Sequence, residues 1–93
     1  MAKVGGSLSA NTNLEVLAAD MTRNFLEITN VDSTSTIYLE FGAAASTTST
    51  DDSIPILPQT VKTFNGGEVP EIKKSVNLKS TGTPQYHVWE GGL

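Results

Sequence analysis

His87 is the only histidine in the chain, so a Ser-His-Asp triad would have to be built on it, with an acid and an activated serine close by. No Gly-x-Ser-x-Gly elbow accompanies it, and a lone strand histidine more often serves a surface or an interface. Asp51 and Asp52 are adjacent, so on a strand they point opposite ways. The carboxylate spacing of an EF-hand is missing, which leaves only adventitious calcium for that pair. Gly5-Gly6 and Gly66-Gly67 lack the glycine-rich context before a helix that cradles phosphate and read as turn glycines. Trp89 with Tyr86 and Tyr38 suggests an aromatic platform for a sugar. Strand alternation separates Trp89 from Tyr86 unless a bulge intervenes, so core or subunit-interface packing is the preferred reading. No catalytic, cofactor-binding or metal-ligating residue is assigned, no cofactor is expected, and an enzyme is not expected.

The elements that would carry these side chains read as strands. Between Arg23 and Gly42 two alternating runs flank a polar turn: Leu26 and Ile28 oppose Phe25, Glu27 and Thr29, then Ile37, Leu39 and Phe41 oppose Thr36, Tyr38 and Glu40. This pattern suits a sheet with one buried face. The spacing predicts an antiparallel hairpin over residues 24–41, closed by residues 31–35, whose Asp, Ser and Thr side chains bond locally to the backbone. Burying Ile37, Leu39 and Phe41 contributes about 1.5 to 3 kcal/mol each.

Elsewhere the signals are shorter. Residues 1–13 are rich in Gly, Ser, Ala and Asn without periodicity and read as a flexible N-terminal arm, poorly packed on its own domain. Residues 14–93 are expected to form a single domain. Residues 14–19 suit a strand, with a short helix as the alternative because Ala, Leu and Glu are good helix formers. Residues 43–53 form a low-complexity polar loop, expected to be solvated or to touch a neighbouring subunit. Pro55 and Pro58 confine residues 54–58 to an edge strand or an extended connection. A strand over residues 60–64, the Asn65-Gly66-Gly67 turn, a strand placing Val76 and Leu78 on one face, and a last strand over residues 85–90 follow. Residues 91–93 read as a frayed end. Six or seven short strands at this spacing predict an all-β fold, a small antiparallel β-sandwich that is jelly-roll-like or, alternatively, Ig-like.

Ninety-three residues allow one domain, near the low end at which a single core supports itself. There is no cysteine, so neither disulfides nor thiolate metal sites can supplement that core. Oligomerisation or docking on a larger body is the expected supplement. A formal charge of −4 and a pI near 4.7 disfavour nucleic acid and anionic lipid, which need clustered Lys and Arg. No apolar run approaches the length of a membrane span. The N-terminus lacks the apolar core of a secretory leader, so residence in a cytoplasm until assembly is expected.

Arg-x-Phe-Leu-x-Ile-Thr-Asn at residues 23–30, Ile-Tyr-Leu-x-Phe-Gly-Ala-Ala at 37–44, Val-Pro at 69–70 and Val-Trp-Glu-Gly at 88–91 together resemble small structural proteins of tailed bacteriophages. The resemblance implies a compact sandwich or jelly roll on the virion, a decoration or cement protein bound to the major capsid protein, often as a homotrimer over threefold or quasi-threefold sites. It implies no ligand residues. A tail- or fibre-associated module and a carbohydrate-binding adhesion module are the alternative functions.

Overall fold

The computed structural model describes residues 2–47 and 53–92. Its elements are β1 (Ala2–Ser7), β2 (Leu14–Leu17), β3 (Arg23–Asn30), β4 (Ile37–Phe41), β5 (Ile54–Ile56), β6 (Val61–Asn65), a 3-10 turn (Pro70–Lys73), β7 (Val76–Lys79) and β8 (Gln85–Gly92). Two four-stranded sheets result: sheet A in the order β1-β8-β3-β6 and sheet B in the order β2-β7-β4-β5. All pairings are antiparallel, and first pairs with last throughout, β1 with β8, β2 with β7, β3 with β6 and β4 with β5. This nesting is jelly-roll order, two Greek keys wound round one core.

The inner faces follow the sequence alternation. Leu26 and Ile28 of β3, Ile37 and Leu39 of β4, Val76 and Leu78 of β7 and Val88 of β8 are fully buried, joined by Tyr86, Leu17, Ile56, Ile72 and Leu8. Phe41 and Phe64 close one side edge to face, with ring centroids 5.5 Å apart. Gly42, at φ +79°, ends β4 in a conformation that disfavours any residue with a Cβ.

Three expectations are corrected. Residues 24–41 are not a hairpin, because β3 pairs with β6 and β8 while β4 pairs with β5 and β7. Alternation fixes which side of a strand is buried. It does not say whether two apolar faces lie side by side in one sheet or face each other across a sandwich, and here they face each other. The expected arm is part of the body: β1 is laddered along β8, Leu8 N–H donates to Pro84 O at 2.9 Å, and Leu8 is buried. Its Gly-rich composition fits an edge strand packed over Tyr86, where a Cβ on Gly6 would approach the phenolic oxygen to 3.2 Å. Gly91 and Gly92 belong to β8, held by Phe25 and Arg23 of β3. In β2 a register shift between Glu15 and Leu17 brings Leu17 opposite the inward Val76, where it is buried, while Leu14, opposite Leu78 on this edge strand, is exposed.

Polar side chains anchor both ends of β3. A one-residue bulge between Arg23 and Phe25 turns Arg23 toward the interior, where it is 2% exposed. Its Nε–H donates to Glu90 Oε1 at 3.0 Å, Nη1 to Ile72 O at 2.6 Å and Lys74 O at 3.0 Å, and Nη2 to Ala18 O at 2.8 Å. One guanidinium thus joins the exit of β2, the 3-10 turn, the entry of β7 and β8. At the far end, buried Asn30 donates to Ser35 O (2.7 Å) and Ile56 O (3.0 Å) and accepts from Asp32 N–H (3.1 Å). Among the described residues, no buried side-chain polar atom is left without a partner. Two corners are fixed by carboxylates. The Ser35 and Thr34 amides hold Asp32 below its ordinary value of 3.8, and the Thr22 hydroxyl and amide do the same for Asp20.

Arg23→Ala strands Glu90 and three carbonyls, and we expect a loss of about 3–5 kcal/mol in urea unfolding. Arg23→Lys recovers only part of it, because an ammonium cannot span the fork geometry. A carboxylate with a lowered folded pKa stabilises at pH above its unfolded value, and the contribution disappears as pH falls through the folded value. The melting temperature is therefore expected to hold above about pH 5 and to fall below the ordinary carboxylate range. Asp32→Asn should flatten part of that fall in a pH series of thermal melts.

Candidate functional surface

The two outer faces of the sandwich differ. On sheet B, Asn77 of β7 points outward yet is 5% exposed. The chain after β4 returns over it: Ala45 N–H donates to Asn13 Oδ1 at 2.8 Å, and Asn13 Nδ2 donates to Asn77 Oδ1 at 3.1 Å. Ser53 Oγ–H donates to Glu40 Oε1 and its oxygen accepts from Ser46 N–H. The described part of the 43–53 loop is thus laid over sheet B, with Ala45 4% exposed. The expectation of a solvated loop does not hold for it. Small side chains cannot build a core, but they allow a close approach of backbone to a sheet surface.

Among the described residues, nothing covers sheet A in that way. Register places Lys3, Trp89, Glu27 and Thr63 in one row across its four strands, and Gly5, His87, Thr29 and Val61 in the next. Phe25, opposite Gly91, lies diagonal to Trp89 on the same face, within reach of a long or aromatic neighbour. Phe25 and Trp89 are half-buried, and His87, Lys3 and Thr63 are exposed. Lys3 Nζ sits 5.1 Å from the Trp89 ring centroid, a cation–π contact worth about 0.5–1 kcal/mol at an exposed site. The end of this face continues into Val31 and Val61, 41% and 51% exposed, and Leu57 at the neighbouring corner is 57% exposed.

The residues singled out in the sequence are dispersed. His87 stands exposed between Gly5 and Thr29. Tyr86 lies on the inner face, where burial pushes its phenol above the ordinary 10.0. Tyr38 is on the outer face of sheet B, opposite Lys79 and Pro55. Trp89 therefore shares its face with neither tyrosine, as alternation implied for Tyr86, and its aromatic neighbour is Phe25. That pairing depends on β3 lying beside β8, more than fifty positions apart in the chain, and no local pattern reports it. Gly5 and Gly6 are strand residues, whereas Gly66 and Gly67 do form a turn, with Gly67 N–H bonded to Asn65 Oδ1. Asp51 and Asp52 lie outside the described residues. Among the described residues, no group of three His, Asp or Glu side chains is placed to hold a metal ion.

Asn13→Ala removes the bridge between the loop and β7. Amide exchange at Ala45 should then quicken at least tenfold while exchange at Leu78 in the core stays unchanged, with a stability loss of about 1 kcal/mol. Comparison with protein-family models, curated proteins and solved structures found no match for this chain.

Proposed function

We propose that this chain is a structural protein of the bacteriophage virion, a decoration or cement protein that stabilises the head shell by non-covalent clamping of neighbouring capsomers. The observation that carries this reading is the open outer face of sheet A, where Trp89 and Phe25 are surrounded by Lys3, Glu27, His87 and Thr63 and bordered by Val31 and Val61. Aromatic anchors within a polar rim are the composition of protein-docking surfaces. Buried anchors of this type supply most of the binding energy of an interface. The residues of the phage-like pattern support the reading from another side. In Arg-x-Phe-Leu-x-Ile-Thr-Asn, Arg23 and Asn30 are the two buried anchors, Leu26 and Ile28 are core, and Phe25 and Thr29 face outward on sheet A. Repeated copies on a lattice make weak single contacts collectively strong.

Trp89 also supports a second reading, carbohydrate binding, because a half-exposed indole flanked by His87, Thr29 and Glu27 offers a stacking surface next to hydrogen-bonding groups.

Incubation with empty tailed-phage capsids, followed by cosedimentation and imaging, tests the first reading. Saturable decoration of the head is expected, weakened at least tenfold by Trp89→Ala with the fold unchanged. Labelling confined to tails assigns the chain to a tail or fibre role. Absence of particle binding together with glycan-array binding lost in Trp89→Ala favours the adhesion module.

A further inference from the structure

Among the described residues each sheet has two edge strands without a further partner, and three of the four carry a feature that discourages pairing with another chain. β2 has four residues and a register shift. β5 has three residues with Pro55 at its centre. On β6, Lys62 lies opposite the buried Ile28, which puts a charge on the inward side of an edge strand. Bulges, prolines, short strands and inward charges are the recognised means of blunting a sheet edge. β1 carries a single charge, Lys3, which lies outward beside Trp89, and has neither a proline, a bulge nor an inward charge: Ala-Lys-Val-Gly-Gly-Ser is six residues long and regularly laddered to β8 without a register shift. Lys3, Gly5, Gly6 and Ser7 are exposed.

We propose that β1 is an assembly edge, where two copies of this chain pair antiparallel, β1 against β1, about a two-fold axis at Gly5. The ladder decides which groups are free. Leu8 N–H bonds to Pro84 O, so with the strict alternation of an antiparallel pair Gly6 and Val4 also exchange their bonds with β8. The main-chain N–H and C=O of Lys3, Gly5 and Ser7 therefore face away from β8. A dyad at Gly5 sets Gly5 against Gly5 of the second copy and Lys3 against its Ser7, twice by symmetry, for about six inter-chain hydrogen bonds.

The side chains agree with that register. On the outer face no like charges meet, since Lys3 lies across from Ser7, and the axis itself passes between two glycines. On the inner face Val4, which already packs against the core, lies across from Gly6 of the second copy, where that copy's Tyr86 ring fills the space a Cβ would take and presents no charge to it. This match of strand to itself selects a second copy as the occupant. Sheet A then continues through eight strands, and the two Trp89 faces lie on one side of it. The dimer does not depend on the capsid reading, and a protein that fails to bind shells still pairs through β1.

Sedimentation equilibrium and residue-resolved amide exchange on the full chain test this. A monomer–dimer equilibrium is expected, with the Lys3, Gly5 and Ser7 amides exchanging at least tenfold more slowly in concentrated than in dilute solution, while Val4 and Gly6 stay protected at both. Ser7→Pro removes an N–H that β8 does not use, so the variant should be folded and monomeric. A protein monomeric from micromolar to millimolar concentration overturns the proposal. So does a dimer or trimer whose Lys3, Gly5 and Ser7 amides exchange freely, or a folded Ser7→Pro dimer. Should Ser7→Pro fail to fold, the wild-type exchange pattern alone decides between pairing through β1 and its absence.

Discussion

The buried guanidinium of Arg23 is the constraint on which the rest of this small sandwich depends. A charge with five donors is costly to remove from water unless each direction finds an acceptor, and here the acceptors come from Ala18, Ile72, Lys74 and Glu90. Those residues belong to segments far apart in the chain, so the charge is satisfied only once both sheets have closed. Lys73 Nζ adds a bond to Arg23 O at 2.6 Å, drawing the 3-10 turn onto the start of β3. Asn30 does at the opposite end with a neutral amide what Arg23 does with a charge. Leu26 and Ile28 lie between these fixed points, so this interior strand of sheet A is held in register by directional bonds at its ends and by apolar packing in its middle.

This division of labour leaves the outer surfaces free for other uses. Sheet B is partly sealed by the return of the 43–47 segment over Asn77, and sheet A is left with its aromatic, charged and hydroxyl side chains in open rows. A fold with neither disulfides nor an assigned metal has to obtain its rigidity from such internal closure. The shell docking and self-pairing proposed above call on different parts of sheet A. The proposed docking would engage side chains on its face, and the proposed self-pairing the backbone along its β1 edge. Because the β1 edge lies at right angles to the face, paired copies keep both Trp89 surfaces accessible on the same side. Such a dimer offers a repeating shell two points of contact.

The sequence by itself determined the strand content apart from β1, and most of the buried face. Period-two alternation reports side-chain direction directly, and for that reason the shared faces of Leu26 with Ile28, Ile37 with Leu39 and Val76 with Leu78 were legible as buried, whereas which face of the last strand is buried was not. Pro55 likewise marked an edge before any pairing was known, since a missing N–H is a local fact. Only the tertiary structure decided which strands are neighbours. β3 and β4 are adjacent in sequence and lie in opposite sheets, while β1 and β8, at the two ends of the chain, are hydrogen-bonded along their length. The same holds for the candidate surface: Phe25 lies diagonal to Trp89 on one face, and Lys3 reaches the indole, only because β1, β8 and β3 are consecutive in sheet A. Backbone hydrogen bonds are identical for every pair of strands and carry no address. The address comes from Arg23, Asn30 and the fit of the two inner faces, which act across the core and leave no periodic trace in the chain.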